Sequence, residues 1–324
     1  MRYSFKSAFA PHIIGLIQQK QADGFIYHSN AVLLKKFDTF CLSRFPDTDV
    51  ISRDIVAEWA VIRSTEGKNY RNSRMYALRQ LCLYILSLGL EAYVPHDIGS
   101  NDKSVLYIPS QEELSLFFKQ LDSWISPTQV TRRIDIECRV MFRLYYCCGL
   151  RLSEVRFLRK EDVDFENGIL TILNSKGHKD RLVYLPLDGI TQLCEYRKVI
   201  ENIAPETPLM FPGQILSHPL SCSTIERRFE NCWNRLPFSQ STDKRPTPHC
   251  LRHAFVVERL NDWMRQGISL NEMLPYLSKF LGHKSPSETY YYYHLVNKAF
   301  SIVRQKDKVS NRVIPEVFNY EGNY

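Results

Sequence analysis

Four short segments in the second half of this 324-residue chain hold side chains whose types and spacing could do chemistry. They are Gly149-Leu-Arg-Leu-Ser-Glu154, with Arg151, and Asn174-Ser-Lys-Gly-His-Lys-Asp180, with Lys176. Next come His249-Cys-Leu-Arg252 and Leu281-Gly-His283, the latter followed nine residues later by Tyr292. A guanidinium group offers forked, charge-assisted hydrogen bonds to an anion. Imidazole and ammonium groups move protons, and a phenol, with an ordinary pKa of ~10, needs a base or cationic surroundings to become a good nucleophile. Each group also has an ordinary structural explanation. Arg151 can pair with Glu154, and Lys176 suits a solvated turn. His249 and Arg252, at i and i+3, share a helix face and can form a structural hydrogen-bonding unit. His283 can close a helix end after glycine, and the run Tyr290–Tyr293 can be a packing face.

These groups need a scaffold, and the patterning supplies a mainly α one with a small antiparallel β-sheet. Helices are expected over 112–124 and 132–147, the first opened by a Ser110–Glu113 capping box and the second stopped at Gly149. A further helix starts at Ser153. Residues 169–173 and 181–185 read as two strands joined by the polar, glycine-containing loop that carries Lys176. From Leu187 onward the chain reads as helical. Thr247-Pro248-His249 reads as an N-cap, an N1 proline and a helix start, which puts His249 at the positive end of a helix dipole, where a phosphate can bind. Ser285-Pro-Ser-Glu288 reads as a second capping box, with Tyr292 in about the second turn of its helix. Residues 1–90 read as a helical domain, with helices over 29–45 (Ser29 or Asn30 as cap), 54–63 and 70–88. Arg71, Arg74 and Arg79 lie on the last of these and are candidates for DNA-backbone contact. The turn-rich stretch 91–108 reads as a linker, 109–304 as the second domain and 305–324 as a tail.

Composition sets outer limits. Hydrophobic residues make up 44% and charged residues 24%, a globular profile with no internal repeat. Net charge is +7, and a division near residue 108 leaves 13 basic against 10 acidic residues before it and 29 against 25 after it. That balance permits a polyanionic partner without requiring one. No apolar run approaches the ~20 residues of a membrane span, and the first twenty residues lack a signal-peptide pattern. Nine cysteines without a CxxC pair read as reduced thiols of a cytoplasmic protein, with no metal site.

Taken together, in order and spacing, the four segments resemble the tyrosine recombinase (phage integrase) family across about residues 109–300. The family pattern is an Arg in a GLR-x-SE box, a Lys in a β-hairpin turn, H-x-x-R, and a His or Trp in an LGH-like box nine residues before the tyrosine. Arg151, Lys176, His249, Arg252, His283 and Tyr292 fill those slots. Asp162-Val-Asp-Phe165, Leu251-Arg-His-Ala-Phe255 and Leu281-Gly-His-Lys-Ser285 agree as flanking sequence. The N-terminal helices match the core-binding domain only in size and character. Cys148 departs from the small or hydroxyl residue common before the glycine, and the chain has no room for an added arm-binding domain beyond residues 1–25.

The resemblance implies a metal-free, cofactor-free, two-domain recombinase that cuts and rejoins duplex DNA through a covalent 3′-phosphotyrosyl bond. Strand exchange would pass through a Holliday junction in a homotetramer at specific sites, in integration, excision or resolution for a mobile element, with accessory recombination proteins as further partners. On this view Arg151 and Arg252 clamp the non-bridging oxygens, His249 accepts the phenolic proton, Lys176 protonates the 5′-oxygen, His283 bonds a phosphate oxygen, and Tyr292 attacks. Residues 294–304 would pack on a neighbouring subunit or, with equal claim, against their own domain. The rivals are a type IB topoisomerase-like enzyme, a non-catalytic DNA-binding regulator of the same fold, and a histidine metallohydrolase, for which the carboxylates and ligand spacing are missing.

Overall fold

The computed structural model describes residues 4–102, 106–173, 180–239 and 246–295. It divides the chain into two compact units, Met1–Val105 and Leu106–Tyr324. The first holds α1 (Ala10–Ala22), α2 (His28–Arg44), α3 (Arg53–Ala60) and α4 (Lys68–Ser87). Phe9, Ile13, Leu34, Phe37, Trp59, Leu78 and Leu81 form its core. Buried Asp38 ties the chain before α1 to α2 by accepting from the Lys6 and Ser7 amides, the Ser7 hydroxyl and Lys35 Nζ. Burial alone would raise its pKa, but these bonds pull the carboxyl below its ordinary range.

Two details differ from the sequence expectations here. The N-cap of α2 is Tyr27, in a left-handed conformation, rather than Ser29 or Asn30. The stretch read as a linker from residue 91 holds to the first unit as far as residue 102. Ile98 is buried in its core, Tyr93 donates to the Ile51 carbonyl, and Asp102 pairs with Lys68 at 2.8 Å. Turn-rich composition predicted the absence of regular structure but could not reveal these attachments.

The second unit holds α5 (Gln111–Ser123), α6 (Gln129–Cys148), the one-turn α7 (Leu152–Arg156), and strands β1 (Val163–Asp164), β2 (Ile169–Ile172) and β3 (Arg181–Tyr184). Then follow α8 (Leu187–Ile203), α9 (Cys222–Trp233), α10 (His249–Arg265), α11 (Leu270–Leu281) and α12 (Ser287–Tyr290), which continues as a 3₁₀ turn over Tyr291–Leu295. The strands pair antiparallel in the order β1-β2-β3, with Leu170 opposite Val183 and Ile172 opposite Arg181. The Ser110–Glu113 capping box forms, with the Ser110 hydroxyl accepting from the Glu113 amide and the Glu113 carboxylate from the Ser110 amide. Residues 204–221 are not helical, although the region after Leu187 reads as helix throughout. Pro205, Pro208, Pro212 and Pro219 remove backbone donors there, and the stretch forms only isolated bridges, Arg159 to Leu209 and Pro212 to Pro219.

α6 is the axis of this unit and packs against α8, α9 and α10. Phe117, Phe142, Phe229 and Trp233 interlock on one side of it, with Phe117 and Phe229 centroids 5.0 Å apart. Among the described residues no helix is long and apolar enough to cross a membrane, and none of the nine cysteines is in a disulfide.

Candidate active site

Backbone turns place the first cation. α6 ends at Gly149, whose φ of +59° suits glycine, and a Cβ there would meet Phe255 Cδ1 at 2.5 Å. The chain therefore reverses tightly, and Arg151 becomes the N-cap of α7. Its amide donates to Glu154 Oε2 at 2.8 Å, its Nη1 to Glu154 Oε1 at 2.9 Å, and its Nη2 to the Gly282 carbonyl. The pairing with Glu154 read from sequence is thus real, and it orients the guanidinium rather than removing it from the site.

The first turns of α10 place three more groups. Arg252, 2% exposed, donates to the carbonyls of Gly149 and Leu281 and lies 3.1 Å from His283 Nε2. His249 sits one turn earlier on that face, its ring edge-on to His253 with centroids 4.5 Å apart. The helix begins at His249 with Pro248 as N-cap, one residue later than the Thr247 cap expected, and Thr247 contributes its carbonyl to the Cys250 amide.

The end of α11 places His283. Gly282, at φ +65°, closes the helix with its own amide bonded to the Lys279 carbonyl and the His283 amide to Ser278. His283 Nδ1 is 2.7 Å from the hydroxyl of fully buried Thr289. The expected Ser285–Glu288 side-chain cap does not form. Pro286 is the N-cap of α12, and the Ser285 hydroxyl turns to Ser287. Tyr292 consequently lies on the 3₁₀ turn. It is 5% exposed and packed with Phe255, Leu274 and Leu281, whereas Tyr290, Tyr291 and Tyr293 are 43%, 43% and 37% exposed. The phenolic oxygen is 2.6 Å from His253 Nδ1.

Burial and mutual charge set the protonation states. Burial first, then Arg252 and Arg151, push His249 down to about 4. Burial, with His249, Arg252 and His283, takes His253 to about 3. His283 falls to about 3 through burial, then Arg252, Arg151 and Arg181. All three imidazoles are therefore neutral near pH 7. Arg252 drops to about 10, chiefly through burial and then Arg151, and stays charged. Tyr292 rises to about 12, because burial outweighs the pull of Arg252 and Arg151. The resting site is a protonated phenol beside fixed cations and neutral imidazoles.

Five of the six residues of the sequence pattern, Arg151, His249, Arg252, His283 and Tyr292, come together here. Lys176 lies outside the described residues, as does 296–324, most of the segment expected to pack on a neighbouring subunit. Sequence reasoning missed His253, which shares a face with His249 at i+4 and is the group that contacts the phenol. It also missed Arg181, which heads β3, binds both Glu154 oxygens at 2.8 Å and donates to the Phe280 carbonyl. In the first unit, the assignment of Arg74 to DNA contact is corrected. It is 1% exposed, stacked on Trp59, and paired with Glu66 at 2.6 Å. Apolar spacing of α4 could not show that this arginine faces inward. Arg71 donates to the Ala60 and Ile98 carbonyls and Arg79, weakly, to those of Pro95 and His96; both remain partly exposed. Among the described residues no group of three or more His, Cys, Asp or Glu is placed to hold a metal.

Solved structures share this architecture. A XerH site-specific recombinase bound to palindromic difH substrate, in a post-cleavage complex, aligns with a TM-score of 0.61 at 22% identity, covering 85% of this chain and 78% of that one. The Tn1549 transposon integrase in complex with circular intermediate DNA aligns at 0.60 and 15%, covering 87% and 94%. A lambda integrase dimer bound to a COC′ core site aligns at 0.59 and 16%, covering 86% and 93%. These likenesses define the fold as that of the two-domain tyrosine recombinases.

In sequence, XerC of Proteus mirabilis is 27% identical over 253 residues, 74% of this chain and 76% of that protein. A Sinorhizobium fredii protein named as an integrase/recombinase, y4rE, is 35% identical over 151 residues, but the match spans 44% of this chain and only 46% of its relative. Residues 115–299, more than half of the chain, match the model of the phage integrase family. The chain belongs to that family and is an enzyme of the tyrosine recombinase type.

Proposed function

We propose that this enzyme cleaves and rejoins duplex DNA at specific sites through a 3′-phosphotyrosyl bond at Tyr292, exchanging strands through a Holliday junction in a homotetramer. One observation carries the proposal. Of four adjacent tyrosines only Tyr292 is buried, and it lies against the α10 face that carries Arg252, His249 and His253. The phenolic oxygen attacks phosphorus, and a new O–P bond forms as the bond to the 5′-oxygen breaks. Arg151 and Arg252 bind the non-bridging oxygens, whose charge grows in the transition state. Carbonyls of Gly149, Leu281 and Gly282 already fix the planes of both guanidiniums, so little reorganisation accompanies the reaction. His283, by resemblance, donates to a phosphate oxygen, which requires Nε2, 3.1 Å from Arg252 Nη2 before DNA binds, to carry the proton in the complex. Lys176, by resemblance, supplies the proton to the leaving 5′-oxygen. The 5′-hydroxyl of the partner strand reverses these steps to rejoin DNA.

The experiment is recovery of protein–DNA adducts from a randomised library of nicked duplexes on denaturing gels, followed by reaction of two selected duplexes. An adduct that requires Tyr292 and a four-way junction between duplexes are the expected results. Relaxation of supercoiled plasmid without any junction would replace recombination by topoisomerase action.

A further inference from the structure

We infer that His253 is the group that takes the phenolic proton of Tyr292 during cleavage and returns it during rejoining. The inference rests on the function proposed above and assigns one proton of that reaction to one atom, Nδ1 of His253.

Three observations support it. His253 Nδ1 stands 2.6 Å from the Tyr292 oxygen, within direct proton-transfer distance, and both side chains are buried, so solvent does not compete for that proton. The two rings also lie against each other with centroids 5.5 Å apart, which fixes the approach of Nδ1 to the hydroxyl. His249, the residue the family pattern offers for this role, instead packs edge-to-face on His253, with centroids 4.5 Å apart. With Nε2 protonated, His253 accepts the phenolic hydrogen bond. As the O–P bond forms, the O–H bond breaks and Nδ1–H forms, which leaves an imidazolium; in rejoining, that proton goes back to the departing phenolate.

The groups facing this pair come from several elements. His249 and Arg252 lie on α10, His283 at the end of α11, and Arg151 at the start of α7; Tyr291 on the same 3₁₀ turn and Glu288 on α12 flank the nucleophile. Before DNA binds, burial first and then the neighbouring His249 and Arg252 disfavour an imidazolium, so the phenol keeps its proton. A bound phosphodiester brings the negative charge that offsets them, and the base becomes effective only when DNA fills the site. Activation of the nucleophile is thereby coupled to substrate.

The test uses the full chain and a nicked duplex, of a sequence that gives the wild-type adduct, with sulfur replacing the bridging 5′-oxygen. The thiolate leaves without an acid, so the rate reports the phenol step alone. His253→Asn keeps a hydrogen-bonding atom near the Nδ1 position but cannot become a cation. Its cleavage rate at pH 7 is expected to fall on the order of 10²-fold. That rate should then climb about tenfold per pH unit toward pH 9 as phenolate forms unaided, while the wild-type rate changes little; added imidazole should restore part of the loss to His253→Ala. A His253→Asn rate equal to wild type, or reduced by one factor at every pH with DNA binding intact, would overturn the assignment. Absence of any Tyr292-dependent adduct in the wild type would instead remove the underlying function.

Discussion

Burial beside cationic neighbours keeps His249, His253 and His283 neutral at pH 7, and that has a thermodynamic consequence. An unfolded histidine titrates near ~6.5, whereas these titrate at about 3 to 4 in the fold. Between those values the unfolded chain binds more protons, so stability is complete above pH ~6.5 and is lost as pH falls toward the folded pKa values. Thermal unfolding should show a midpoint that is level from pH 8 to 7 and declines steadily below pH ~6.5; a midpoint unchanged to pH 5 would contradict the histidine environments. Arg252→Ala should cut DNA cleavage by a factor on the order of 10² or more, while DNA affinity, which draws on many phosphate contacts, changes little. Equal losses in binding and cleavage would instead make Arg252 a general DNA contact. The order and spacing of Arg151, Arg252, His283 and Tyr292 were legible in sequence, and the fold brings these side chains together. His253 was not, because only the packed site shows which imidazole reaches the phenol.

Two helix ends position Arg151 and His283, and both depend on glycine. A Cβ at Gly282 would approach Arg181 Nη1 at 2.9 Å and Arg151 Nη1 at 3.0 Å, so the closure of α11 and the guanidinium cluster occupy the same space. At Gly149 an alanine would adopt a left-handed backbone at a cost of roughly 1–2 kcal/mol. It would also collide with Phe255, which adds about 1–3 kcal/mol of overpacking. Gly149→Ala should therefore lower the denaturant midpoint and, by moving Arg151, slow cleavage more than the stability loss alone would. A variant with normal cleavage and midpoint would show that the turn does not set the arginine. Sequence located α2 to α6 and the paired strands β2 and β3 well, because apolar spacing acts locally, but it assigned no element to α1 or β1. It misjudged the caps of α2, α10 and α12, where tertiary packing selects the boundary, and it filled the proline-rich 204–221 with helix that the missing amide donors prevent.

The molecule consists of two units with separate cores, and the site lies wholly on elements of residues 106–324. Asp38 offers a way to perturb one unit alone. Asp38→Ala leaves the Lys6 and Ser7 amides without their acceptor, at a cost of about 1–3 kcal/mol. Calorimetry should show the transition of the first unit shifted downward, with that of the second unmoved; a uniform shift of one transition would mean that the units unfold together. The two-domain plan was readable from the break in helical pattern after residue 88. Where the first unit ends was not, because Ile98 and Asp102 bind it through tertiary contacts.

The proposed reaction turns on a bond from DNA to one particular oxygen. Protein–DNA adducts should be trapped on the nicked duplex, digested with protease and nuclease, and sequenced by mass spectrometry to find the residue that carries the nucleotide. The structure predicts a 3′-phosphate ester on Tyr292 and no adduct from Tyr292→Phe. Attachment to Tyr290, Tyr291 or Tyr293, or an adduct that survives the substitution, would contradict it.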